Sequence, residues 1–124
     1  MLPILITGKS GRMGLAVAEA AEANPGTTIA ATHDAGESLD EAMKGVKCVI
    51  DFTVHSFSKN LIEAALRHRV AIVMGTTGHT DEELEVVHAA AAEIPIVHAP
   101  NFSVGVNTLF WLTSHAARDR KSVV

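Results

Sequence analysis

Leu2-Pro3-Ile4-Leu5-Ile6-Thr7-Gly8-Lys9-Ser10-Gly11-Arg12-Met13-Gly14 is the stretch on which the fold turns. The apolar run Leu2–Thr7 reads as a buried strand, with Pro3 placed near its start. Three glycines follow at GxxGxxG spacing, a variant of the dinucleotide fingerprint GxGxxG, and residues 11–23 read as an alanine-rich helix. Gly8 can take a backbone conformation closed to residues with a Cβ. Gly11 lets a pyrophosphate approach the backbone, and Gly14 lets the helix pack closely on the strand. The free N–H groups and positive dipole of the helix start then meet the anion. The plain alternative is a glycine-rich turn in an ordinary α/β protein, and placement at the first strand-to-helix turn speaks against it.

Working outward, Thr27–His33 reads as a second strand, and Asp34 follows it, 20 residues after Gly14. A carboxylate there can accept both hydroxyls of an adenosine ribose. Taken by itself, Asp34-Ala35-Gly36 is equally a solvated turn with a loop acid. Residues 39–44 form a short helical turn, 46–52 a strand, 56–68 a helix and 70–74 a strand. Residues 81–93 form a helix with Thr80 as N-cap and Glu83 completing a capping box. Residues 94–98 form a short strand, and a last helix starts at Val104. Apolar strands separated by helices predict an α/β fold: a Rossmann-type, doubly wound parallel sheet in a single domain.

The 124 residues are 48% hydrophobic and 19% charged, with a formal net charge of −4. This composition suits a folded globular chain, and no basic run suggests a nucleic-acid surface. Cys48 is the single cysteine, which excludes an internal disulfide, and its apolar surroundings make it a buried structural thiol. No signal peptide is visible, and no apolar stretch reaches the ~20 residues that span a bilayer. No membrane partner is expected, and a cytoplasmic location is the default. The seven histidines are His33, His55, His68, His79, His88, His98 and His115. None pair at i, i+3 or i+4, so no metal site is expected and they read as surface or satisfied side chains. His33 and His98 end strands near the cleft and are supporting candidates only.

Four blocks occur in order: Gly8 to Gly14 (GKSGRMG), Asp51-Phe52-Thr53, Gly75-Thr76-Thr77-Gly78, and residues 99–107 (APNFSVGVN). Together they resemble the dihydrodipicolinate (4-hydroxy-tetrahydrodipicolinate) reductase family over nearly all of residues 1–118. The resemblance implies NAD(P)H-dependent reduction of a cyclic dicarboxylate to tetrahydrodipicolinate, in diaminopimelate and lysine biosynthesis. It places Arg12 beside the pyrophosphate and includes Gly8, Lys9, Ser10, Gly11, Met13 and Asp34 in the same cofactor site. It places Phe52, Gly75, Thr76, Thr77, Ala99, Pro100, Asn101 and Phe102 toward the nicotinamide. Thr77 also resembles the family threonine that touches substrate carboxylate. Without the family, Phe52 and Phe102 read equally well as core packing.

Family members often carry an acid followed by arginine at the end of the second strand; here the pair is Asp34-Ala35. Losing the arginine while keeping the acid favours NADH (NAD) by repelling a 2′-phosphate, although Lys9 could reach that phosphate. Dual use of NADH and NADPH (NADP) with a lean to NADH is the expectation.

The family's second domain supplies a proton-donating histidine pair, a substrate-binding lysine, a PSGTA-like segment and the homotetramer interface. No such segments occur here, so no catalytic residue is assigned, and the chain alone is expected to be monomeric and inactive. Residues 1–118 read as a dinucleotide-binding domain cut within its last helix, and 119–124 (DRKSVV) as a non-native tail or, in the bland alternative, a frayed helix end. The rival readings are another Rossmann-type reductase, such as an aspartate dehydrogenase or a homoserine dehydrogenase relative, and a noncatalytic dinucleotide-binding module.

Overall fold

The computed structural model describes residues 1–98. The element order is β1 (Leu2–Thr7), α1 (Arg12–Ala23), β2 (Thr27–His33), α2 (Leu39–Met43), β3 (Cys48–Asp51), a single 3₁₀ turn (His55–Phe57), α3 (Ser58–His68), β4 (Ala71–Met74), α4 (Asp81–Ala90) and β5 (Ile96–His98). The expected helix from Val104 and the 119–124 tail lie outside the described residues.

The five strands pair in the order β2-β1-β3-β4-β5, and every pairing is parallel. Connections leave β1 for β2 on one side and return to β3 on the other. The order therefore reverses beside β1, which opens a crevice at the carboxyl ends of β1 and β3. β3 and β4 are buried along their whole length, as strands covered on both faces must be. β2 lies at one edge of the sheet, and alternate residues along it are exposed.

Successive side chains of β1 point to opposite faces and enter two cores. Leu5 joins Val49, Ile72 and Ile96 against Leu61, Ile62 and Val87 of α3 and α4. Ile4 and Ile6 join Cys48, Ile50 and Val73 against Val17 and Ala21 of α1. Each fully buried Ile or Leu contributes roughly 1.5–3 kcal/mol. Cys48 is such a core residue, and burial pushes its thiol pKa up to about 12, so it is inert as a nucleophile.

The helices stop where local chemistry dictates. α4 has the expected capping box, with the Thr80 hydroxyl accepting from the Glu83 N–H and the Glu83 side chain accepting from the Thr80 N–H. It ends at Ala90 rather than 93, because Ala92 and Glu93 turn back through bonds to Ala89 and Ala90. The third strand is shorter than residues 46–52, since Val46 still closes the turn after α2 and Phe52 has left the sheet. The first helix begins at Arg12, with Gly11 as its N-cap. No helix among the described residues is long and apolar enough to cross a membrane.

Candidate dinucleotide site

The glycine turn joins β1 to α1 as its sequence requires. Gly8 has φ +64°, in the left-handed region, and a Cβ there would press on Thr53 at 3.0 Å. A Cβ on Gly14 would collide with the Gly8 carbonyl, so α1 lies directly against the turn. Gly11 differs. Its φ of −80° suits any residue, and a Cβ would meet only the Gly8 oxygen, at 3.4 Å. What Gly11 leaves clear is space on the outer side of the turn. The start of α1 carries no side-chain cap and no acid in its first turn, so its N–H groups remain free for an anion.

Gly8, Gly11, Asp34, Phe52, Thr53, Val54 and Phe57 line a cleft of about 430 Å3 at the crevice between β1 and β3. A second hollow of about 460 Å3 adjoins it, and the two share His33, Ala35 and Phe57. The rings of His33 and Phe57 stack at 5.6 Å between centroids. The His33 Nε2 lies 2.9 Å from the Glu37 carbonyl oxygen.

Asp34 stands just past β2, and its Oδ2 accepts from the Ser10 hydroxyl at 2.9 Å. Its backbone N–H donates to Glu37 Oε1 at 2.6 Å. That bond, with Lys9 close by, holds the Glu37 carboxyl below its usual range. Lys9 Nζ lies 3.5 Å from Glu37 Oε2. No motif in the sequence marks Glu37, which places a second acid beside Asp34 and engages Lys9. Arg12 and Met13 open α1 and are exposed.

On the other side, Phe52 lies over Gly75 so closely that a Cβ on Gly75 would run into its ring. The Gly75 N–H donates to the Asp51 carbonyl at 2.8 Å. Thr76 is buried, and its hydroxyl points inward to Asp51 rather than toward the cleft, which leaves only its backbone for a ligand. Thr77 is exposed. Ala99, Pro100, Asn101 and Phe102 lie outside the described residues.

Three of the histidines, each with a hydrogen-bond partner, come together in the fold. His55, His79 and His98, far apart in the chain, meet beside the Gly75–Gly78 turn, with ring centroids 6.4 Å and 5.0 Å apart in successive pairs. His55 Nδ1 lies 2.9 Å from Glu83, His79 Nε2 lies 2.7 Å from the Ser58 hydroxyl, and His98 Nε2 lies 3.4 Å from the Thr76 carbonyl. Residue spacing along one helix could not reveal this, because two crossovers of the sheet, β3 to β4 and β4 to β5, create it. Among the described residues no group of histidine, cysteine and acid side chains is arranged to hold a metal ion.

The family model described as "Dihydrodipicolinate reductase, N-terminus" matches residues 2–102. The chain belongs to the dihydrodipicolinate reductase family. The 4-hydroxy-tetrahydrodipicolinate reductase of Akkermansia muciniphila is 49% identical over 118 residues, which cover 95% of this chain and 48% of that protein. The chain thus spans about half the length of the curated reductases it matches. A dipicolinate-bound dihydrodipicolinate reductase from Paenisporosarcina sp. TG-14 superposes with a TM-score of 0.67 at 22% identity, covering 94% of this chain and 54% of that one. An engineered D-amino acid dehydrogenase bound to NADP+ superposes with a TM-score of 0.64 at 14% identity, covering 93% of this chain and 41% of that one. At such identities these two show a shared fold, the Rossmann-type parallel sheet expected from the sequence.

Proposed function

We propose that this chain is the dinucleotide-binding part of a 4-hydroxy-tetrahydrodipicolinate reductase, with residues 1–118 as the binding domain. The whole enzyme would reduce a cyclic dicarboxylate to tetrahydrodipicolinate in diaminopimelate and lysine biosynthesis, in the cytoplasm. Family membership favours this over an aspartate dehydrogenase. The observation that carries the reading is the cleft at the β1–β3 crevice. It unites a turn whose Gly8 and Gly14 admit no side chain and whose Gly11 leaves space open, the uncapped start of a 12-residue helix, and an acid just past β2.

The residues fit NAD(P)H in detail. The α1 amides and Gly8 to Met13 would take the pyrophosphate. Asp34, held by Ser10, would take the ribose hydroxyls. The His33–Phe57 pair would border the adenine. Phe52 and the Gly75–Thr77 turn would bound the nicotinamide end, joined by Ala99 to Phe102. When bound, NADH supplies the hydride. The exposed Thr77 would meet a substrate carboxylate. The proton and the remaining substrate contacts fall to the family's second domain, so the chain on its own binds, as a monomer, without turning over.

NADH is the favoured cofactor, with NADPH also accepted. A 2′-phosphate would face both Asp34 and Glu37, while Lys9 is engaged by Glu37. Calorimetric titration tests this. Asp34→Ala is expected to weaken NADH binding about tenfold, the scale of a lost charged hydrogen bond, and to narrow the gap to NADPH. NADPH binding the unsubstituted chain about tenfold tighter than NADH, a difference of ~1.4 kcal/mol, would overturn the preference.

A further inference from the structure

Asp51 is the only buried acid among the described residues, at 0% exposure. A dinucleotide has no evident use for a carboxyl group so far inside the domain. Burying one without partners would be costly, and three hydroxyls converge on it. Thr7, the last residue of β1, donates to Oδ1 at 2.7 Å, and Thr53 donates to the same oxygen at 2.8 Å. Thr76 donates to Oδ2 at 2.8 Å, and the Thr76 oxygen accepts from the Thr53 N–H at 3.0 Å. The ends of β1, β3 and β4 are thereby tied to one side chain.

The two turns so linked depend on it unequally. The Thr7 hydroxyl also lies 3.3 Å from the Ile50 carbonyl. The glycine turn behind it has backbone anchors of its own, from Gly8 N–H to His33 at 2.9 Å and from Gly11 N–H to Gly8 at 3.0 Å. The Thr76 side chain, by contrast, bonds only within the Asp51–Thr53 network. Thr76 is the middle residue of the turn proposed to bound the nicotinamide.

We propose that Asp51 is a positioning residue which, through the Thr76 hydroxyl, sets the Gly75–Thr77 turn against the glycine turn and so fixes where the nicotinamide end of the dinucleotide rests. This builds on the dinucleotide-binding reading above. A group that merely stabilised the fold would affect all ligands of the cleft alike. A group that positions one turn affects the part of the ligand lying on that turn.

The test compares NADH with ADP-ribose, which lacks the nicotinamide, by calorimetry on the 124-residue chain. Asp51→Asn and Thr76→Val should each weaken NADH about tenfold and ADP-ribose less than about threefold. The double variant should be no weaker than Asp51→Asn alone, because coupled residues are not additive. Thr76→Ser, which keeps the hydroxyl, should restore NADH affinity to within about threefold of the original. Equal losses for the two ligands, additive losses in the double variant, or unchanged NADH affinity would each overturn the proposal. Should Asp51→Asn fail to fold, the contrast between Thr76→Val and Thr76→Ser decides by itself. Failure of the unsubstituted chain to bind either ligand would instead overturn the dinucleotide reading, and this proposal with it.

Discussion

Three glycines in the first turn do three different things, and their geometry bears out the difference at Gly8 and Gly14. Gly8 is required by its positive φ, Gly14 by contact with backbone, and Gly11 by neither. The need at Gly14 was legible, because a fingerprint glycine at that spacing packs helix on strand. The inward turn of the Thr76 hydroxyl was not, since GTTG reads the same whichever way its threonines face. Gly14→Ala would force its methyl into the Gly8 carbonyl, which cannot move without breaking the turn. Overpacking of this kind costs about 1–3 kcal/mol. The melting temperature should therefore fall by roughly 10 °C for a domain of this size. Gly11→Ala, with open space around it, should melt within about 2 °C of the original chain. Equal melting of both variants by circular dichroism would mean that the turn is not packed as described.

Strands and helices were legible wherever local pattern set them. The first two strands and the α4 capping box match in their bounds, while β3, β4 and β5 occur where expected but are shorter. Contacts made by bringing separate elements together were not legible. His55, His79 and His98 follow β3, precede α4 and end β5, 24 and then 19 positions apart in the sequence. Burial first, and then the neighbouring His98, lower the pKa of His79 below its ordinary 6.5. His55 opposes protonation too, while Glu83 and Asp51 favour it more weakly than burial disfavours it. The folded state thus binds fewer protons at this site than the unfolded state. Stability should be whole above about pH 6.5 and decline as the pH falls through that value toward the lowered pKa. His79→Gln should flatten the fall in denaturation midpoint between about pH 7 and pH 5. Identical slopes in the two chains would remove His79 as the cause.

At the scale of the whole molecule, the parallel sheet and its crevice follow from the alternation of elements, and the sequence motifs fall at the edge where such sheets bind ligands. Gly8, Gly11, Asp34 and Phe52 do meet in one cleft. His33, a supporting candidate in the sequence, and Phe57 also line it, and Glu37 lines the adjoining hollow, the last two without a motif to announce them. His33 and Glu37 are placed by the chain at the end of β2, and Phe57 reaches them from the 3₁₀ turn after β3 to stack on His33. The central claim, that this cleft holds a dinucleotide on the start of α1, is tested most directly by titrating NADH into the chain and into Gly11→Val. Valine suits the extended backbone at Gly11, so the fold should survive while the side chain fills the space left for the pyrophosphate. The account predicts measurable NADH binding to the unsubstituted chain, and its loss in a Gly11→Val chain whose melting temperature is little changed. NADH bound equally well by a folded Gly11→Val chain would contradict it.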